Sequence, residues 1–130
     1  MSYVDGVVVA VPTGKKDEYL AYAKLTAAIF KDAGAVSVVD TWGHDVPHGK
    51  VTDFYRAVKA EPGETVAFSF IEWPDKASRD QAWQKIMQDD RMQHGGATID
   101  GKRMFWGGFD MVIDTAGDEQ IAAASTPVTA

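Results

Sequence analysis

Residues 65–90 read TVAFSFIEWPDKASRDQAWQKIMQDD, and they join an apolar segment to a helical pattern. Bulky apolar residues alternate with smaller ones over residues 65–73, which predicts a β-strand. Asp75 has the short carboxylate of an N-cap residue, which can accept hydrogen bonds from the first turn of a helix. The buried stripe of that helix is predicted at Ala82, Trp83, Ile86 and Met87. A strand that leads into a helix is the second half of a small α+β unit.

The first third of the chain repeats this order. Residues 3–11 are rich in valine and predict a strand. Between residues 15 and 33, apolar residues recur every three or four positions and predict an amphipathic helix. Gly34 stands where a C-cap glycine belongs, and residues 35–42 predict a second strand because they are rich in β-branched side chains.

The other segments are less regular. Gly, Pro, Asp and His punctuate the stretch from residue 43 and predict a loop, whereas residues 54–60 fit a short helix or an edge strand equally well. Residues 103–113 predict a fourth strand, in which Gly107 and Gly108 indicate a bulge or a close backbone approach. The chain after Thr115 is rich in Ala, Thr and Ser without periodicity. We therefore expect one domain over residues 1–114 and a disordered or loosely packed tail over residues 115–130.

The order β-α-β, loop, β-α-β is that of a ferredoxin-like α+β fold, an antiparallel sheet with both helices on one face. The third strand carries bulky apolar side chains on both faces, because Phe68 and Phe70 alternate with Ile71 and Trp73. Two helices on one face leave the other face bare, and a bare apolar face must be covered by another chain. The sequence therefore predicts a homodimer that closes two sheets into an α+β barrel.

Composition restricts the function. The chain has 130 residues, a net charge of −6 and no cysteine. An acidic surface repels phosphate, so we expect no nucleic-acid partner. The lack of cysteine excludes disulfides, thiolate nucleophiles and Cys-ligated zinc. No apolar run reaches the roughly 20 residues that span a membrane, and the N-terminus lacks the basic region of a signal peptide, so we expect a cytoplasmic protein without a membrane partner. No motif calls for a cofactor.

Asp40 and Glu72 are the candidate catalytic residues. If the second and third strands are neighbours, both carboxylates can lie on one sheet face, flanked by aromatic residues. Burial disfavours the charged form of a carboxylate and suits it to general acid or base catalysis. The alternative is that each carboxylate forms a structural ion pair, for example with Arg103 of a second subunit.

Tryptophans are the candidate ligand contacts. Trp42, Trp73 and Trp106 lie in or at the ends of predicted strands, where flat rings can line a pocket for an apolar ligand. We predict these three residues and Arg103 as ligand-binding, whereas Trp83 belongs to the helical stripe and is expected in the core. Packing in the core or at a dimer interface is the alternative for all of them.

One histidine-rich segment needs a separate interpretation. His44, Asp45 and His48 form the motif HDVPH, whose side-chain types suit a metal. A tight site needs three or four converging ligands, and Pro47 separates the two histidines on a predicted loop. We therefore interpret the motif as a solvated loop and predict no metal.

Three runs of sequence resemble the YbaA-like family of short bacterial proteins, a domain of unknown function. They are TWGHDVPHGKVTDFYRAVKAEPGETVAFSFIEWPDKASRD, DDRM and DGKRMFWGGF, and the resemblance covers about residues 3–113. It implies a ferredoxin-like subunit that pairs into a dimeric α+β barrel, and it implies no activity. The wider group of such barrels includes cofactor-independent oxygenases, haem-degrading enzymes and small-ligand binders, which is an analogy of fold alone.

Three functions follow as hypotheses. The first is binding of a small, partly apolar molecule between sheet and helices or at the dimer interface. The second is a cofactor-independent oxygenase or isomerase with Asp40 or Glu72 as base, in which Trp42 and Trp73 position an aromatic or enolisable substrate. The third is an interaction module whose apolar face serves only to form the dimer. A cavity of roughly a few hundred Å³ lined by Asp40, Trp42, Glu72 and Trp73 would favour the first two, and a barrel without a void would favour the third.

Overall fold

A computed structural model describes residues 2–94 and 99–116, with the backbone alone at residues 93 and 94. The strands are β1 (Tyr3–Pro12), β2 (Ser37–Asp40), β3 (Glu64–Trp73) and β4 (Phe105–Asp110), and the helices are α1 (Lys16–Asp32), α2 (Phe54–Ala57) and α3 (Lys76–Met87). Short 3-10 turns lie at Thr13–Lys15 and Asp90–His94. Among the described residues, no helix is both long and apolar enough to cross a membrane.

The four strands form one antiparallel sheet in the order β2-β3-β1-β4. This order, with α1 and α3 on one face, is the ferredoxin-like α+β arrangement, and it confirms the predicted fold class. The central pairing sets Val7 opposite Ser69 of β3 and opposite Trp106 of β4. Since paired residues share a face, these three side chains lie on the side covered by the helices.

Local signals correctly placed the start of α3 and the end of α1, whereas β2 and β4 are shorter than predicted. The Asp75 side chain accepts a hydrogen bond of 2.7 Å from the backbone N–H of Ser78, as expected of an N-cap. Gly34 follows α1 with a φ of 112°, the left-handed conformation that glycine adopts at helix ends. The ambiguous segment 54–60 begins with the short helix α2, whose N-cap is Asp53.

The sequence allowed either a bulge or a close backbone approach at the two adjacent glycines of β4. The structure shows a close approach at Gly108. The β1–β4 register runs without a bulge from Val8–Phe105 to Tyr3–Asp110. A Cβ atom added to Gly108 would lie 2.7 Å from the Tyr3 ring, whereas one added to Gly107 would lie 3.5 Å from the Phe109 ring. Of these two glycines, only Gly108 therefore lies where a side chain cannot fit without displacing its neighbour.

The helix-covered face holds two groups of buried side chains. Tyr3, Ile71 and Trp73 pack with α1 and α3 at one end, and Val9, Val11 and Ala67 pack with α1 at the other. Ala82 and Ile86 are buried as the stripe predicts, but Met87 is 77% exposed. The prediction is wrong at Met87, which is the last residue of α3.

The opposite face of the sheet is only partly covered by the chain itself. Val8, Ala10 and Val66 pack beneath Val58, just after α2. Phe68, Phe105 and Phe109, however, are 41%, 45% and 61% exposed. We call these three residues the phenylalanine patch. A large part of this face therefore remains apolar and open, although α2 covers more of it than the sequence suggested.

The domain boundary at residue 114 and the disordered tail over residues 115–130 stay predictions. Residues 117–130 lie outside the described residues.

Candidate functional site

A cavity of about 440 Å³ lies between the sheet and the helices α1 and α3. Its volume falls in the range of small-molecule sites. Most of its lining is apolar, and the sheet, the helices and the segments that join them all contribute: Asp5, Val7, Val9, Tyr19, Tyr22, Thr26, Phe30, Val38, Asp40, Ser69, Ile71, Trp83, Met87, Met92, Ile99, Met104 and Trp106.

The cavity exists because the middle of the sheet carries small side chains. Val7 and Ser69 are paired at its centre, between the two groups of buried side chains. On either side the space is filled by larger residues, Trp73 at one end and Tyr19 at the other. The helices therefore rest on the two bulky ends and leave a void over the small residues between them.

One end of the cavity carries a polar cluster made of Asp40, Ser69 and Tyr19. Ser69 Oγ donates a hydrogen bond of 2.6 Å to Asp40 Oδ1 across the β2–β3 pair. The Tyr19 hydroxyl donates to the same oxygen at 3.5 Å and lies 3.4 Å from Ser69 Oγ. Burial raises the pKa of Tyr19, and the negative charge of Asp40 raises it further, so the phenol stays protonated at neutral pH.

Tyr22 lies one helical turn from Tyr19 and also lines the cavity. Its pKa is raised by burial and by the charge of Asp40. Among the described residues, no ion pair includes Asp40. The polar end of the cavity is therefore negatively charged.

Asp5 lies on the cavity wall in a different setting, since its charge is fully compensated. The residue is 0% exposed, and Arg79 Nη2 donates to its Oδ1 at 2.8 Å. Its Oδ2 accepts from Trp73 Nε1 at 2.9 Å and from Trp83 Nε1 at 3.2 Å. The hydrogen bonds to Asp5 raise the pKa of Arg79, which holds the guanidinium in its charged form.

Sequence reasoning missed this cluster. The pattern of the helix gave no role to Arg79, whose side chain is only 13% exposed. A signal was present in β1, where Asp5 shares the inward phase of Tyr3, Val7 and Val9. An acidic residue in a buried phase requires a cationic or hydrogen-bonding partner.

Two indoles form the aromatic wall of the cavity. The rings of Trp83 and Trp106 stack with centroids 6.1 Å apart, and Phe30 meets Trp83 edge-on at 5.6 Å. Trp106 is 59% exposed, which places it at the entrance. Trp83 was expected in the core, but it is half-buried and lines the cavity.

The predicted pairing of Asp40 with Glu72 on one sheet face is wrong. Asp40 lies opposite Ser69, whereas Glu72 lies opposite Ser37 and Val4. Ser69 and Glu72 are an odd number of residues apart, and successive side chains of a strand point to opposite faces. Asp40 therefore faces the cavity, and Glu72 lies on the other side of the sheet.

The four predicted ligand contacts do not lie together at the cavity either. Trp106 lines the cavity. Trp42 packs against Tyr19 at 5.6 Å, behind the polar cluster, and Trp73 is 0% exposed in the core. Arg103 lies elsewhere, where its Nη1 contacts Glu64 Oε1 at 2.7 Å and lowers the pKa of that carboxyl. Trp42, Trp73 and Arg103 therefore do not line the cavity.

The HDVPH segment forms no converging ligand set. The His48 ring stacks on Tyr55 with centroids 4.3 Å apart, and its Nδ1 lies 3.8 Å from Asp53. His44 and Asp45 line a smaller cavity of about 210 Å³ beside residues 41–46. Within the part of the chain that the structure describes, no three His, Asp or Glu side chains are grouped to hold a metal ion.

Comparison with known proteins gives a sequence relative without an assigned activity. A family model for a protein of unknown function (DUF1428) matches residues 2–107. The uncharacterized protein YbaA of Escherichia coli K12 is 55% identical over 116 residues, which cover 88% of this chain and 99% of that protein.

Solved structures support the fold. SnoaB, a cofactor-independent oxygenase from Streptomyces nogalater, aligns with a TM-score of 0.52 at 14% identity, over 89% of this chain and 99% of that one. A dimeric ferredoxin-like protein from an uncultured marine organism aligns with a TM-score of 0.55 at 10% identity, over 88% and 99% of the two chains. At such low identity the likeness extends to the fold alone.

Proposed function

Since the chain belongs to the YbaA-like family of proteins of unknown function (DUF1428), with no activity to inherit, we propose a function from its geometry. The protein binds a small, largely apolar molecule in the cavity between its sheet and helices, and it does so as a homodimer. The observation that carries this proposal is the cavity of about 440 Å³, apolar over most of its wall with one polar end. An apolar wall with a few placed polar groups is the usual composition of a ligand site.

The proposed dimer rests on the phenylalanine patch. Its side chains are between 41% and 61% exposed on a face that the chain covers only in part. Contiguous exposed aromatic surface is characteristic of protein interfaces. A second copy of the sheet is the partner that fits, because its own patch would be buried by the same contact. The cavity lies on the opposite face, so each subunit carries its own site.

The experiment uses N-phenyl-1-naphthylamine, a neutral fluorophore that brightens in apolar surroundings. The wild-type protein should bind it saturably. Val7→Trp fills the centre of the cavity and should weaken binding at least tenfold, whereas Phe109→Ala on the phenylalanine patch should leave affinity within about twofold. Circular dichroism confirms that both variants fold. If Phe109→Ala abolishes binding and Val7→Trp retains it, the dye occupies the other face and the proposal fails.

Catalysis at Asp40 is a second candidate, favoured by one observation. The carboxylate lies at the edge of an apolar cavity with Oδ1 fixed by Ser69, so a bound carbonyl compound can meet a positioned base. Asp40 would take a proton from the carbon beside the carbonyl, which gives an enolate and a carboxylic acid. In a β,γ-unsaturated carbonyl compound the enolate extends over the double bond, and return of the proton to the γ carbon moves that bond into conjugation, which completes an isomerisation. Trp83 and Trp106, rather than Trp42 and Trp73, would hold the ring.

Deuterium exchange tests this candidate without knowledge of the natural substrate. The probe is 2-tetralone in D₂O, followed by NMR at the carbon between its carbonyl and its ring. Exchange above the buffer rate that is lost in Asp40→Asn and kept in Glu72→Gln supports a base in the cavity. Exchange no faster than in buffer, or exchange equal in both variants, excludes Asp40 as this base.

A further inference from the structure

We propose that the cavity selects an aromatic molecule whose polar end is a cation that donates hydrogen bonds, such as a primary ammonium group. This inference rests on the proposed binding function and names the class of ligand. It is carried by the direction of the hydrogen bonds at the cavity wall and by the balance of charge there.

Three hydroxyl groups of the cavity, those of Ser69, Tyr19 and Thr26, present acceptors to a ligand. Ser69 directs its proton to Asp40 Oδ1, Tyr19 directs its proton to the same oxygen or to Ser69 Oγ, and Thr26 directs its proton to the carbonyl of Ala23 at 3.1 Å. A hydroxyl has one proton and two acceptor lone pairs. Once its proton is used inside the protein, it can offer a ligand only lone pairs. A ligand group that meets one of these three hydroxyls must therefore donate.

The charge of the cavity wall also favours a cationic ligand group. The two acidic residues of the wall differ, because Arg79 compensates Asp5 whereas Asp40 enters no ion pair among the described residues. The Trp83 N–H is already bound to Asp5 Oδ2. A ligand carboxylate would meet the like charge of Asp40, whereas an ammonium group would meet an opposite charge and the acceptor oxygens beside it.

The aromatic wall also suits a cation joined to a flat ring. Tyr19, Tyr22, Trp83 and Trp106 line the cavity, and a cation is attracted to the faces of such rings. An aromatic ring of the ligand can pack beside the two indoles, with its ammonium group directed to Asp40. The cavity holds both ends of this class of molecule, an apolar body and one compact cationic head.

The experiment compares three probes that share a naphthalene ring: 2-naphthylmethylamine, 2-naphthylmethanol and 2-naphthoic acid, by calorimetry near neutral pH. We expect the amine to bind at least tenfold more tightly than the alcohol, a difference of about 1.4 kcal/mol, and the acid to bind most weakly. Asp40→Asn should reduce the preference for the amine to under about threefold. Glu72→Gln, a carboxylate removed from the other sheet face, should keep it.

A second measurement on the wild type separates charge from shape. Raising NaCl from about 0.05 to about 0.5 M should weaken amine binding and leave alcohol binding unchanged. Equal binding of amine and alcohol, tighter binding of the acid, or a full preference retained in Asp40→Asn would each overturn the inference and leave the proposed cavity site intact. Absence of binding for all three probes would overturn both.

Discussion

Arg79 of α3 and Asp5 of β1 form a buried ion pair between residues 74 positions apart, with Nη2 of the arginine 2.8 Å from Oδ1 of the aspartate. The other carboxylate oxygen accepts from the indoles of Trp73 and Trp83. The Asp5 side chain thus links α3, the sheet and the aromatic wall of the cavity. The stability of the fold and the shape of the site depend on the same contact.

Replacement of Arg79 by leucine should destabilise the protein. The change leaves the Asp5 charge buried without its cationic partner, and loss of one member of a buried pair costs about 3 kcal/mol or more. Urea denaturation followed by tryptophan fluorescence measures the free energy of unfolding. Lys76→Leu is the control, because it removes the solvent-exposed pair with Asp80 and should change little. A loss below about 1 kcal/mol in Arg79→Leu would show that the ion pair is dispensable.

The two adjacent glycines of β4 should respond differently to alanine. In Gly108→Ala the new methyl group meets the buried Tyr3 ring at 2.7 Å, so the strand or the ring must move. We expect a loss of about 1–3 kcal/mol in the free energy of unfolding. In Gly107→Ala the nearest atoms lie at 3.5 Å, an ordinary contact, and stability should stay near that of the wild type. Similar unfolding free energies for the two variants would refute the close approach.

Stability should fall in alkaline solution because of the buried phenols. Burial raises the folded pKa of Tyr19 and Tyr22 above the usual 10.0. Above that pH the unfolded chain loses protons that the folded chain keeps, so stability is present below about pH 10 and is lost as pH rises further. Urea denaturation from about pH 9 to about pH 11 should show a shallower decline in the double variant Tyr19→Phe, Tyr22→Phe. If the free energy of unfolding falls equally steeply with pH in the wild type and the double variant, the fold does not raise the pKa of either phenol.

The phenylalanine patch should govern association. Light scattering of the wild type should give about twice the chain mass of 14.1 kDa. Phe109→Glu places a charge on the patch and should give a folded monomer, since an unpaired charge disfavours burial. Lys85→Glu, on the exposed surface of α3, is the matched control and should remain dimeric. If the wild-type protein is a monomer, the open apolar face does not form a dimer interface.

Elements with strong local signals were predictable from the sequence. The strand and helix of residues 65–90 are observed as β3 and α3 with the expected cap at Asp75. Gly34 ends α1 as expected, because a positive φ favours glycine wherever the rest of the fold lies. These features depend on residues close in the chain, so periodicity and caps suffice to place them.

Features that depend on pairing between distant residues were not predictable in the same way. The segment between β2 and β3 is too long for a turn to fix their register, and a shift by one residue moves a side chain to the other face. That is why Asp40 and Glu72 were expected together and lie apart. Trp83 was assigned to the core for a related reason, since a helical stripe does not tell whether it faces packed side chains or a cavity.

A crystal structure of the protein with 2-naphthylmethylamine tests the central claim most directly. The expected result is a naphthalene ring between the sheet and the helices beside Trp83 and Trp106, with its nitrogen about 3 Å from an Asp40 oxygen. A ligand bound on the phenylalanine patch, or a cavity filled by side chains that leave no space for the ring, would contradict it.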